Sequence, residues 1–294
     1  MVDLREVSTK VLSIQSHTVH GYVGNRAVTF PLQYLNWDVD VLNTVNFSNH
    51  TGYGQVFGTE TSAEQLLEIY KGLSVIGVEY DAVMSGYTPN KESLKAVGEI
   101  CSDIKRKYSN AIWLLDPVMG DEGQLYVDES VVPVYKEILQ SGKIDIITPN
   151  QFEAELIVGY EIVDKSTLRK ALDDLHDKFN IDHVVISSFS SELSSKLKLR
   201  EDDEPSKNVI YTIVSSKSKT QKEKTMYFKV PKLNSYFTGV GDLFSALLLD
   251  RVYKYTHQRQ NSGKEAQAQI LVDSVAEVLT VMSKVLRITQ KMIF

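Results

Sequence analysis

Phe237-Thr238-Gly239-Val240-Gly241-Asp242-Leu243-Phe244-Ser245-Ala246-Leu247-Leu248-Leu249 is the stretch on which the reading of this chain turns. Two glycines flank a small apolar residue, and an aspartate then opens a strongly apolar helix. Glycine there lets the backbone turn tightly and approach a ligand closely. The N–H groups left free, together with the helix dipole, form an anion site. An aspartate beside such a site is placed to take the proton of an attacking hydroxyl during phosphoryl transfer. Asp242 could equally be a plain helix cap, and these residues alone leave both readings open. A helix this apolar must also be buried against something, and the rest of the chain supplies a sheet.

Upstream, short apolar runs alternate with helical patterns. Val11 to Ile14 reads as a first strand, followed by a glycine turn and a helix from about Asn25 to Leu35. Val39 to Val45 reads as the second strand. Ser62-Ala63-Glu64-Gln65 opens a helix as a capping box, with Leu66, Ile69, Tyr70 and Leu73 on one face. Asp81 to Met84 and Ile112 to Leu115 are buried-type strands on either side of a helix from about Lys91 to Tyr108. Ile144 to Ile147 gives another strand, and a helix starts at Asn150 with Phe152, Leu156 and Ile157 apolar. Thr167 to Phe179 reads as helix and Val184 to Ile186 as strand. Ser187 to Lys224 is rich in serine and charge, and is read as a surface excursion with a hairpin and flap. It holds one strand, Val209 to Val214, and Met226 to Val230 is the strand that returns. One or two amphipathic helices run from about Gly263 to Met292. The rhythm predicts a three-layer α/β/α fold with a mostly parallel central sheet. With no repeat and no linker, residues 1–294 are expected to form one domain.

Ligands of such sheets gather at the carboxyl ends of the strands, and three polar clusters fall there. They are Ser13-Ile14-Gln15-Ser16-His17 leading to Gly21-Tyr22-Val23-Gly24-Asn25-Arg26, then Asp116-Pro117-Val118-Met119-Gly120-Asp121, and Thr148-Pro149-Asn150-Gln151-Phe152-Glu153. Each alone reads as well as turn chemistry or an N-cap; together they converge on one crevice. Other phosphate motifs are missing. There is no G-x-x-x-x-G-K-[ST], and Gly52-Tyr53-Gly54-Gln55-Val56-Phe57-Gly58 misses G-x-G-x-x-G by one residue, so it is read as a mobile glycine loop. The six histidines show no metal-ligand spacing.

Bulk properties agree. The 294 residues are 43% hydrophobic and 24% charged, a globular balance. A net charge of −6 argues against a nucleic-acid partner. No uncharged apolar run approaches the roughly 18–20 residues of a membrane span, and the segment from Met1 to Lys10 lacks a signal-peptide core. The single cysteine, Cys101, permits no internal disulfide and reads as a small buried hydrophobe. A cytoplasmic or nuclear location is expected, and the sequons at Asn46 and Asn49 carry no weight there.

With these motifs together, the chain resembles the pyridoxal kinases of the ribokinase-like superfamily from about Val11 to about Leu249. The resemblance rests on the three clusters above, on Phe47-Ser48-Asn49-His50-Thr51-Gly52-Tyr53 and on the Gly239-to-Asp242 turn. It implies ATP-dependent phosphorylation of the 5′-hydroxymethyl group of pyridoxal, pyridoxine and pyridoxamine. By resemblance, Gly239 and Gly241 form the catalytic anion hole and Asp242 is the base. Ser16, Thr51 and Tyr87 then contact the pyridine ring and its substituents. Asp116, Tyr126, Thr148, Asn150, Glu153, Ser187 and Val240 belong to the nucleotide region. Asp116 and Glu153 lie near Mg²⁺ or another divalent cation, and Asp121 and Thr148 near a monovalent cation such as K⁺. A homodimer is implied on the same ground, and lid closure around Tyr126 or the 187–224 excursion would exclude water.

Two features depart from the family pattern. Val240 stands where many relatives have threonine, although Thr238 offers a hydroxyl two residues earlier. The loop from Asp121 to Tyr126 is short. The competing readings are a related kinase acting on hydroxymethylpyrimidine, against which Ser16, Thr51 and Tyr87 weigh, and a regulatory protein that binds ATP or pyridoxal phosphate with little turnover. Only Val240 favours the second, and intact Asp242, Asp116 and Glu153 oppose it.

Overall fold

A computed structural model describes residues 9–189, 193, 197, 208–217, 224–258 and 264–293. Much of the expected 187–224 excursion, its flap included, lies outside these residues. The chain runs through β1 (Thr9–Thr18), α1 (Asn25–Tyr34), β2 (Trp37–Phe47), β3 (Gly58–Glu60), α2 (Ala63–Val75), β4 (Ala82–Ser85) and α3 (Lys91–Lys107). It continues with β5 (Ile112–Leu115), a small hairpin of β6 (Gly120–Asp121) and β7 (Gln124–Leu125), α4 (Val131–Gln140), β8 (Ile146–Ile147), α5 (Gln151–Val158) and α6 (Lys165–Asp177). The last elements are β9 (His183–Ile186), β10 (Val209–Ser216), β11 (Lys224–Pro231), α7 (Val240–Gln258) and α8 (Lys264–Ile293).

Among the described residues, nine strands form one sheet in the order β11-β10-β9-β8-β5-β4-β1-β2-β3. The six strands from β9 to β2 are parallel, and β3, β10 and β11 add antiparallel edges. Because strands buried on both faces alternate between two cores, successive residues serve different helix layers. Leu12, Val83, Trp113 and Leu115 pack in the layer with α2 to α6. Val11, Ala82, Met84 and Leu114 pack in the layer with α1, α7 and α8. The expected three-layer architecture is therefore present, and the apolar stretch after Asp242 is buried as α7 through Phe244, Ala246, Leu248 and Leu249.

Local chemistry sets the helix starts. Ser62 and Gln65 complete a capping box at α2, and Asn150 and Glu153 complete another at α5. Cys101 is fully buried in α3, and burial pushes its thiol up. Some readings need correction. Ile69 is 49% exposed, because α2 lies at the flank and buries only Leu66 and Tyr70. The strand expected at Ile144 to Ile147 shortens to β8, since Asp145 turns its carboxylate to the Trp113 N–H (2.7 Å) and Lys105 (2.7 Å). The C-terminal region is one helix, α8.

β1 carries β2 on one side and β4 on the other, so the connection reverses there. That reversal opens a crevice at the carboxyl ends of β1 and β4, the switch point at which open α/β sheets bind ligands.

Candidate active site

Two glycine turns interlock over this crevice. Gly24, the N-cap of α1, has φ +54, and a Cβ there would stand 2.2 Å from the Ser16 carbonyl oxygen and 2.3 Å from Ser16 Oγ. Gly239 has φ +72, and a Cβ there would stand 1.9 Å from the Tyr22 carbonyl oxygen. Neither site tolerates an L side chain without moving backbone. The close fit lets the Gly24 N–H donate to Asp242 Oδ2 at 2.9 Å, across 218 positions of sequence. Asp242 thus has one oxygen fixed and sits partly exposed in the first turn of α7. Its carboxylate is spent on another turn rather than on its own helix. Burial raises its pKa and the Gly24 N–H opposes the rise.

Asp116, directly after β5, is buried, and its Oδ2 accepts a hydrogen bond from Ser245 Oγ at 3.0 Å. Ser245 Oγ also lies 2.9 Å from Thr148 Oγ1 at the end of β8. A Cβ on Gly241 would stand 3.9 Å from Asp116 Oδ2, so this carboxylate lies against the glycine turn. Burial first, and then the charge of Asp242, push the Asp116 carboxyl up to about 7. Glu153 is buried one layer further in. Its Oε1 accepts the Met119 N–H (3.0 Å) and its Oε2 the Asn150 N–H (2.8 Å). Burial and the nearby Asp116 raise it well above the usual carboxylate range. Both oxygens are engaged by backbone, so Glu153 offers a neighbouring ligand chiefly its charge. Asn150 caps α5 through Oδ1 and reaches the Gly120 carbonyl through Nδ2 at 2.7 Å.

The other expected site residues spread around this centre. Ser16 is buried at the end of β1, against Gly24. Tyr87 is half-buried after β4, and its carbonyl accepts Thr44 Oγ1 at 2.7 Å. Thr51 is exposed in a 3-10 turn at Thr51–Tyr53, capped by His50 Nδ1, and no hydrogen bond among the described residues joins it to Ser16 or Asp242. Tyr126 is 49% exposed beside the β6–β7 hairpin, and burial with the charge of Asp121 pushes its phenol up to about 12. Asp121 is exposed and accepts the Glu122 N–H at 2.9 Å, and no hydrogen bond among the described residues joins it to Thr148. Ser187 follows β9, with its N–H on the Pro149 carbonyl at 2.9 Å. Two residues that the sequence reading left without a role, Gly24 and Ser245, turn out to grip Asp242 and Asp116. Ser245 was within reach, since three positions along a helix place it on the face of Asp242.

Among the described residues none of Asp116, Glu153 and Asp242 forms an ion pair. Three neighbouring carboxyls without a cationic side chain form a centre that a hard cation suits. Among the described residues no three His, Cys, Asp or Glu side chains converge to ligate one ion. A consequence can be measured on unliganded protein. A carboxyl whose folded pKa is raised costs stability as pH climbs through the window between the two values, because the folded state then binds more protons than the unfolded chain. Asp116→Asn is therefore expected to be more stable than the parent at pH 8. The gap should open between pH 3.8 and about 7 and reach on the order of a few kcal/mol. Urea melts of both proteins at pH 5 and pH 8 read it; a gap that does not widen would contradict the burial account.

A sequence model of the family described as "Phosphomethylpyrimidine kinase" matches residues 39–268. Human "Pyridoxal kinase" is 39% identical over 268 residues, covering 89% of this chain and 81% of its own. This chain belongs to the pyridoxal kinase family. The family lies within the ribokinase-like superfamily, and the chain is accordingly a kinase. A Saccharomyces cerevisiae relative, "Putative pyridoxal kinase BUD16", is 47% identical over 286 residues, covering 96% of this chain and 85% of its own. The structure of pyridoxal kinase from Leishmania donovani in complex with ADP and pyridoxamine superposes with a TM-score of 0.77 at 32% identity, covering 95% of this chain and 89% of that one. The Gly239-to-Asp242 turn sits against Gly24, which follows β1, and Asp116, which follows β5. No helix among the described residues is long and apolar enough to cross a membrane.

Proposed function

We propose that this chain transfers the γ-phosphoryl group of ATP to the 5′-hydroxymethyl of pyridoxal, pyridoxine and pyridoxamine. The observation that carries the reading is the Gly24–Asp242 contact: a half-buried carboxylate, its pKa raised by burial and one oxygen fixed, held by the glycine turn that packs against Ser16. Asp242 accepts the hydroxyl proton through its other oxygen as the phosphoryl group moves. The N–H groups around Gly239, Val240 and Gly241 receive the charge of the transferring group. Val240 lacks a hydroxyl but keeps its N–H, so the backbone part of this hole persists.

Ser16, Thr51 and Tyr87 hold the pyridine ring. Thr51 comes from the exposed turn after β2 and joins the site by a shift of that loop on binding. Asn150, Ser187 and Tyr126 border the nucleotide. Asp116 and Glu153 hold a divalent cation such as Mg²⁺ through water and phosphate, and Asp121 with Thr148 borders a monovalent cation such as K⁺. The divalent ion supplies charge neutralisation at the phosphates when bound. The protein works as a homodimer in the cytoplasm on this reading, with Tyr126 at the edge of the lid.

Purified protein with Mg·ATP is expected to convert all three vitamers to their 5′-phosphates, read by chromatography, with hydroxymethylpyrimidine turned over at least tenfold more slowly. Faster turnover of hydroxymethylpyrimidine would move the substrate reading to that compound. Nucleotide binding without any turnover would replace it with the regulatory one.

A further inference from the structure

Ser245 occupies a position that packing alone does not require. It lies in α7, three residues after Asp242, and is 1% exposed in an otherwise apolar run, where a buried hydroxyl is costly unless bonded. Here the hydroxyl is bonded twice. It donates to Asp116 Oδ2 at 3.0 Å and lies 2.9 Å from Thr148 Oγ1. In the second bond either hydroxyl can be the donor. The chain Thr148–Ser245–Asp116 joins the end of β8, the first turns of α7 and the end of β5, and Thr148 as well as Ser245 hydrogen-bonds the Asp116 carboxyl.

From this geometry we infer that Ser245 is a positioning residue for the cation–phosphate centre: it holds the Asp116 carboxyl by Oδ2, in register with the helix that carries Asp242. The inference rests on the reading of Asp116 given above. Because Asp116 follows β5 while Asp242 lies in the first turn of α7, the hydrogen bond to α7 also fixes the distance between the group that neutralises phosphate charge and the group that takes the proton. The side chains facing Ser245 are the Asp116 carboxylate and the Thr148 hydroxyl, both buried.

The test uses full-length protein carrying Ser245→Ala and Ser245→Cys, with Mn²⁺ as a paramagnetic probe titrated in the presence of saturating ADP. Removing the partner of a group that meets a metal commonly weakens metal affinity 10–100-fold. Thr148 remains beside Asp116, so a loss of roughly tenfold is expected for Ser245→Ala. Cysteine, a weak donor of similar shape, should recover part of it. In turnover, KM for Mg·ATP is expected to rise while KM for the B6 vitamer stays within about twofold, since the hydroxyl of Ser245 bonds Asp116 and Thr148 and no hydrogen bond among the described residues joins it to Ser16 or Tyr87. Unchanged Mn²⁺ affinity, with only a lower melting temperature, would overturn the inference and leave Ser245 as a packing residue. Failure of the broader reading looks different. There the parent would turn over no vitamer, while the Mn²⁺ titration would still separate parent from variant.

Discussion

Asp242→Asn is expected to lower kcat roughly 10²–10⁴-fold, the range supplied by a positioned proton acceptor, with KM for both substrates changed only a few-fold. That factor corresponds to about 3–5 kcal/mol of transition-state stabilisation. The variant suits the question because asparagine keeps the carbonyl oxygen that the Gly24 N–H needs at 2.9 Å. What it presents at the other position is an amide nitrogen, which cannot take a proton. The fold should therefore survive. Burial disfavours the charged form of Asp242, so removing the charge should leave the melting temperature unchanged or raise it. A plain helix cap would leave the chemistry alone, because asparagine caps a helix about as well as aspartate. Turnover assays and thermal melts on one pair of proteins separate the two. An Asp242→Asn enzyme with parental kcat would return Asp242 to a structural role.

The sequence made the fold legible wherever one residue's neighbours along the chain decide its fate. Val11 to Ile14, Ile112 to Leu115 and the run after Asp242 are continuously apolar because helices cover both faces of the sheet, and that signature is local. The capping boxes at Ser62 and Asn150 are equally local and mark their helices to within a residue. Helix α4 was missed for the converse reason. Val131-Val132-Pro133-Val134 reads as a β-branched run broken by proline. Proline is tolerated in the first turn, where N–H groups lack helical partners anyway, and burial of Val131, Val134, Tyr135 and Leu139 decides in favour of helix. At the site, Gly239 to Asp242, Asp116 and Glu153 could be picked out because each follows a readable strand or opens a readable helix. Their grips could not. The Gly24–Asp242 bond spans 218 positions and the Ser245–Asp116 bond 129, and no short-range pattern marks which distant backbone group a side chain will meet.

Gly239→Ala is expected to damage both stability and catalysis, and by more than Gly241→Ala does to stability. At Gly239 two penalties coincide. The backbone sits at φ +72, where an L residue is strained by about 1–3 kcal/mol, and the new methyl would lie 1.9 Å from a carbonyl oxygen of the Tyr22 backbone. A side chain could rotate aside, but a backbone carbonyl in the turn that also carries Gly24 cannot move alone. Displacing Tyr22 displaces Gly24, and Gly24 holds Asp242. A shift of about 1 Å in a reacting group costs on the order of 10²-fold in rate, so kcat should fall at least that far while the altered residue itself has no side-chain chemistry to lose. Gly241 has no positive φ, and its added methyl would meet Asp116 Oδ2 at 3.9 Å, an ordinary contact. Gly241→Ala should melt close to the parent, and its loss of activity should come from crowding of the phosphate path. The ordering decides the matter: if Gly239→Ala melts and turns over like the parent, the two turns are not interlocked, and the position of Asp242 must be set by α7 alone.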